Sequence, residues 1–245
     1  MELFKTEPIV PPLSVRARVW LVATPIILMQ GQLLFALSDF DLPWSWTTNM
    51  VVEELFWLIL GLAWLHWGVK VDRRSFGLTI GDGGKTLTRT GIQLLIQGVL
   101  AALYTIAVIV VARTTPLRIP VRPTSLTDFD HVGGFVLMAV VAGPLYEEIL
   151  FRGMLLSGLD WPGKRWLSVI GSACLFTLPH FSLHGRIVPM AGALVMGLVL
   201  GWSYLRTRSV LTSFAVHAAC NIGVIVKDLL MQYHPDLVRR ILGYS

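Results

Sequence analysis

An all-α bundle of membrane-spanning helices is the fold class this sequence predicts, on three observations. Of its 245 residues, 54% are hydrophobic and only 14% are charged, against roughly a quarter charged in soluble domains. Mean hydropathy is +0.67. The apolar residues gather into several runs of about 20, the length a helix needs to cross bilayer hydrocarbon. The net charge of +5 sits mainly between these runs, where membrane proteins keep lysine and arginine. It argues for a multi-pass membrane protein and against nucleic-acid binding.

The runs follow in order. The first, 19–37, comes after Pro11-Pro12 and Arg16/Arg18 with no small-residue cleavage site behind it. It reads as an uncleaved span, not a signal peptide. The second, 51–69, opens with Glu53 and Glu54, expected to be solvated at the outer interface, and holds His66 near its inner end. The third, 91–112, carries no motif. The fourth, 132–156, is long and is expected to break at Gly143-Pro144. Proline suits the first helical position, so the restarted helix would place Glu147 and Glu148 at a favourable N-terminal dipole. A short fifth run, 166–179, is followed by 187–205 and 210–231, the last with Lys227 and Asp228 expected to snorkel or pair. Seven spans is the expected count, and six or eight also fit the pattern. Trp20, Trp44, Trp46, Trp161 and Trp166 fall near run ends, as interfacial anchors do. The 116–123 stretch reads as an extended loop.

Basic residues alternate between connections. Lys5, Arg16 and Arg18, then Lys70, Arg73, Arg74, Lys85 and Arg89, then Lys164 and Arg165, then Arg206 and Arg208 fall on one side. The 38–50 connection has none and the one after the fifth run only Arg186, while Arg113, Arg118 and Arg122 run against the trend. The positive-inside rule puts the N-terminus in the cytoplasm and, with seven spans, the C-terminus outside. Arg239 and Arg240 oppose that, and an added interfacial or re-entrant segment would resolve it. The whole chain, 1–245, is expected to be one integral membrane domain, in the plasma (inner) membrane if the source is prokaryotic. Cys174 and Cys220, both in apolar runs, read as small apolar side chains; no cysteine spacing suggests zinc.

Charges at membrane depth cost roughly 2.5–3.5 kcal/mol each on insertion scales, so they occur there with a partner or a task. Glu147-Glu148-Ile149-Leu150-Phe151-Arg152 is the informative case. Residues four apart share a helix face, so Glu148 can reach Arg152, while Glu147 is turned about 100° away. One carboxylate is then held by a fixed cation and its neighbour stays free to take and return protons. As an inert network, the same residues would only tie helices together. His180 closes Phe176-Thr177-Leu178-Pro179-His180, and alone it is more often a hydrogen-bonded interior histidine. His184, four residues on, raises a weak metal reading without an HExxH motif. His217 and Asn221 project from one face and can donate to an oxyanion, or simply bond between helices.

Together these residues resemble the CAAX protease and bacteriocin-processing family of intramembrane glutamic endopeptidases, also called the Abi family. The family pattern EExxxR, FxxxH, HxxxN is filled in order by Glu147-Glu148-xxx-Arg152, Phe176-xxx-His180 and His217-xxx-Asn221. The resemblance covers 131–225 as a catalytic core, and 1–130 supplies spans without a recognisable motif. It implies a metal-independent, cofactor-free endopeptidase acting on a membrane-associated or lipidated peptide or protein. Glu147 and His180 would activate water, His217 and Asn221 would form the oxyanion hole, and Glu148 with Arg152 would support the site. The peptide would enter from the cytoplasmic side. Prenylated C-termini, pheromone precursors, bacteriocin leaders and membrane-anchored regulators all suit such chemistry. A non-catalytic bacteriocin-immunity or membrane binding protein, or a transporter or proton relay, would use the same polar residues differently. Loss of protection in a Glu147 mutant, or solute transport in liposomes without cleavage, would separate those readings.

Overall fold

The computed structural model describes residues 13–36, 46–78, 83–114, 132–161, 163–184 and 187–242. Among these the regular structure is helical throughout, and each of the seven apolar runs coincides with a helix. We number them α1 (Val15–Ala36), α2 (Thr48–Val69, begun at Trp46), α3 (Gly83–Thr114), α4 (Val132–Leu159), α5 (Arg165–His184), α6 (Ile187–Thr207) and α7 (Val210–Tyr233). A short amphipathic α8 (Pro235–Leu242) follows. Five of them, α2, α3, α4, α6 and α7, are long and apolar enough to cross a membrane. The chain is an all-α polytopic membrane bundle. Helices α1 and α5 match apolar runs of the sequence too.

Helix α4 is the axis. Its second half, 149–158, is buried throughout, with α1, α5, α6 and α7 packed round it. A helix apolar on every side must be enclosed by protein or lipid; here Ile149, Leu150, Phe151, Met154, Leu155 and Leu156 meet Leu21, Val169, Phe176 and Leu205. Most large apolar side chains of α3 and many of α2 instead point outward, Leu95 being 70% exposed, as lipid-facing residues do. Helices α5 and α6 pack closely along their length. A Cβ at Gly197 would lie 3.1 Å from the Ala173 backbone, so only a residue without a side chain lets the two helices meet there. Gly201, one turn on, extends the small-residue stripe that membrane helices use to approach.

The expected break at Gly143-Pro144 does not occur: α4 runs on through it with Gly143 at φ −58° and ψ −54°. The helix widens just before the proline, over Met138–Ala142, so that Gly143 N–H bonds Met138 O five residues back. That extra residue in the turn absorbs a proline that would otherwise clash one turn upstream. Glu147 and Glu148 therefore lie in mid-helix, without an N-terminal dipole.

One end of the bundle is knotted by charge. Asp160, just past α4, takes Arg208 from the α6–α7 turn and Arg165 Nε at 3.4 Å from α5. Arg18 of α1 donates to the Asp160 carbonyl at 2.6 Å and lies over the Trp161 ring. Arg89 of α3 donates to Arg206 O at 3.0 Å. Beside them Gly77, at φ +81°, passes so close to Tyr204 that no Cβ would fit, and its carbonyl receives Val210 N–H at 3.1 Å. Most of the basic connections thus share this end. Arg113, at the far end of α3, donates to the carbonyls of Arg240 and Ile241 and seats α8 there.

Candidate active site

In mid-α4, Glu148 and Arg152 are both fully buried, and Arg152 Nη1 donates to Glu148 Oε1 at 2.9 Å. The other guanidinium arm reaches Gly197 O at 3.3 Å, and its plane covers the Phe176 ring at 4.3 Å. The glycine stripe thus also bares the carbonyl that the arginine uses. A buried guanidinium needs this much: a carboxylate, a carbonyl and an aromatic face to replace water.

His217 comes in from α7 and bridges the glutamates. Its Nδ1 lies 2.9 Å from the same Glu148 Oε1, and its Nε2 3.6 Å from Glu147 Oε2. The histidine is 2% exposed and Glu147 31%, so Glu147 is the carboxylate that faces the open side. A proton on Nδ1 donated to Glu148 fixes the ring, as a carboxylate behind a histidine does elsewhere. For Nε2 to donate as well, the ring must be imidazolium. His180 bonds its own helix instead, Nδ1 lying 3.0 Å from Phe176 O. When that nitrogen carries the proton, Nε2 is left with its lone pair free for a water. Phe176 stands between the two histidines, its ring centroid 4.8 Å from His180 and 5.8 Å from His217.

Asn221 Nδ2 donates to Ala139 O at 2.7 Å, and the chain explains why that carbonyl is available. Gly143 N–H is already given to Met138 O, and Pro144, next in line, has no N–H. Asn221 fills the gap that the proline leaves, with one of its two amide hydrogens still unassigned.

Glu147, Glu148, Arg152, His217 and Phe176 therefore meet in one place, with His180 one ring away and Asn221 one helical turn from His217. His184 has no described side chain, and neither has Trp44 or Trp46. Lys227 pairs with its neighbour Asp228 at 2.9 Å, and both cysteines are free. Glu54 is not the solvated interfacial residue expected: α2 packs on α4, and Glu54 Oε2 is buried without a hydrogen-bond partner. Tyr146, also missed, is buried beside it with an unbonded hydroxyl. A second acidic pair at the head of an apolar span was the signal for the first; nothing marked the second except its place before Glu147.

Residues 131–223 match the sequence profile of the family described as type II CAAX prenyl endopeptidase Rce1-like. This stretch is similar to that family. It runs from the start of α4 into α7 and holds all three motifs, so the kinship expected from them stands over this part of the chain. The UPF0177 protein YbdI of Lactococcus lactis subsp. lactis (strain IL1403) is 30% identical over 97 residues, or 40% of this chain and 50% of that protein. The chain thus spans about half the length of this curated relative. No solved structure matches the chain. Helices α1–α3 lie outside the Rce1-like segment, yet α1 and α2 both pack on α4.

Proposed function

We propose that this chain is an intramembrane glutamic endopeptidase that cleaves membrane-associated or lipidated peptides by metal-independent attack of water. One observation carries the reading: a partly exposed carboxylate, Glu147, stands 3.6 Å from a histidine that a second, buried carboxylate holds from behind. A purely structural ion pair needs Glu148 and Arg152 but has no use for a partly exposed Glu147 beside His217. The Rce1-like match over 131–223 supports the same chemistry.

In the proposed cycle a water lies between Glu147 and the free nitrogen of His180. Glu147 takes a proton as the water oxygen attacks the scissile carbonyl carbon. The oxyanion is met by Nε2–H of an imidazolium His217 and by the unassigned amide hydrogen of Asn221. Collapse of the intermediate breaks the C–N bond, and the proton held by Glu147 passes to the leaving amine. Glu148 and Arg152 position His217 and do not touch substrate.

The basic end of the bundle is assigned to the cytoplasm by the positive-inside rule. The buried 149–158 stretch of α4 closes the path from that end, whereas 132–142 of α4 is partly or fully exposed. In this reading substrate approaches Glu147 through the looser half of α4 or sideways from lipid. The deciding experiment compares peptide termini in cells carrying wild-type protein with those carrying Glu147→Gln. New termini lost in the variant support the proposal. Identical termini, with both proteins folded and equally abundant, would leave the Arg152–Glu148–His217 group as a structural network.

A further inference from the structure

The proposed chemistry leaves one polar cluster unused, where α2 crosses α4. Tyr146 is 6% exposed and its hydroxyl makes no hydrogen bond among the described residues; the buried Oε2 of Glu54 makes none there either. The carboxylates of Glu53, Glu54 and Glu147 all lie close enough to the Tyr146 phenol to act on it electrostatically, and Glu54 and Glu147 act on each other likewise. Among the described residues, the lysines and arginines in ion pairs go to Glu148, Asp160 and Asp228, and none pairs with Glu53 or Glu54. Buried acceptors and donors are normally satisfied, and like charges seldom gather without a counter-charge. Among the described residues this group lacks both, and it is contiguous with Glu147, the residue that follows Tyr146 in the chain.

From this juxtaposition we propose that Glu54 and Tyr146, with Glu53 at the rim, form a subsite that takes a lysine or arginine side chain next to the scissile bond. A cationic head group donates to Glu54 Oε2 and offsets the neighbouring carboxylates, while the Tyr146 O–H donates to a carbonyl of the bound peptide. A neutral residue would leave both polar groups unpaired, and an acidic one would add a further like charge. The inference rests on the peptidase reading and assigns that site a specificity.

The test uses the full chain in nanodiscs with peptides that differ only in the residue flanking the cleaved bond: lysine, methionine or glutamate. Wild type is expected to favour lysine over methionine by at least about tenfold in kcat/KM, as removing one partner of a buried charged hydrogen bond typically costs. Glu54→Gln and Tyr146→Phe should bring that ratio to within about twofold, chiefly through KM. Glu54→Lys should turn the preference towards glutamate. A lysine preference that persists in Glu54→Gln and Glu54→Lys overturns the subsite and leaves the peptidase intact. If wild type cleaves none of the peptides, the peptidase reading fails, and binding decides the subsite alone. On a Glu147→Gln background, fluorescence anisotropy should show the lysine peptide bound at least about tenfold more tightly than the methionine peptide, with the difference lost when Glu54→Gln is added. Equal binding of the two peptides overturns it.

Discussion

At the scale of residues, the two adjacent glutamates divide the work because a helix turns by about 100° per residue. Glu148 is turned inward to Arg152 and His217, and Glu147 keeps a partly exposed face beside His217. Glu147→Gln should remove turnover while leaving the thermal unfolding of the purified protein nearly unchanged, because the side chain is 31% exposed and a glutamine carbonyl can still accept from His217. Arg152→Ala should behave differently. Both it and Glu148 are fully buried, and removing one member of a buried pair costs about 3–5 kcal/mol. The unfolding midpoint should fall along with activity, and an Arg152→Ala protein of wild-type stability would show that the pair is not what holds the site. Asn221→Ala should lower kcat by ~10²–10³ if its spare hydrogen meets the oxyanion; a change confined to stability would restrict it to the Ala139 carbonyl. The spacing of these residues was legible in the sequence because four-residue intervals map directly onto a helix face. That His217 bridges both glutamates was not legible, since it depends on how α7 lies against α4.

At the scale of elements, all seven apolar runs could be read as helices, because lipid leaves the backbone no other partner than itself, although α3 starts at Gly83, eight residues before its apolar run. The expected break in α4 failed for an instructive reason. A proline costs a helix its hydrogen bond and collides with the preceding turn, but a turn widened by one residue relieves the collision and leaves a carbonyl bare. Asn221 then claims it, so a flaw in one helix sets the position of a polar group on another. Pro144→Ala would return an N–H to that carbonyl. It should raise stability by about 0.5–1.5 kcal/mol and lower activity, as the amide of Asn221 loses its anchor; unfolding midpoint and kcat measured on the same preparation check both signs. Gly197→Val should push α5 from α6 at Ala173 and cost about 1–3 kcal/mol by overpacking, with activity falling because the same glycine carbonyl receives Arg152.

At the scale of the whole molecule, the basic connections meet at one end of the bundle, and this was visible in the alternation of lysine and arginine. A Lys164→Cys probe should therefore react with an impermeant maleimide only after the membrane is opened, if that end is cytoplasmic; ready labelling in intact cells would invert the orientation. The dense packing of that end, compared with the partly exposed 132–142 stretch, was hidden from the sequence, since apolar residues facing lipid and apolar residues facing protein look alike. The Arg18–Asp160–Arg208 junction carries a consequence for dissection of the chain. The motif-bearing portion borrows its first fastening from a helix about 140 positions upstream, and Leu21 and Leu28 of that helix belong to the shared interior. A fragment trimmed to the recognisable motifs would carry every reacting group and still lack one wall of its own chamber. Co-expression of the missing N-terminal piece as a separate polypeptide should restore what the trimmed fragment loses.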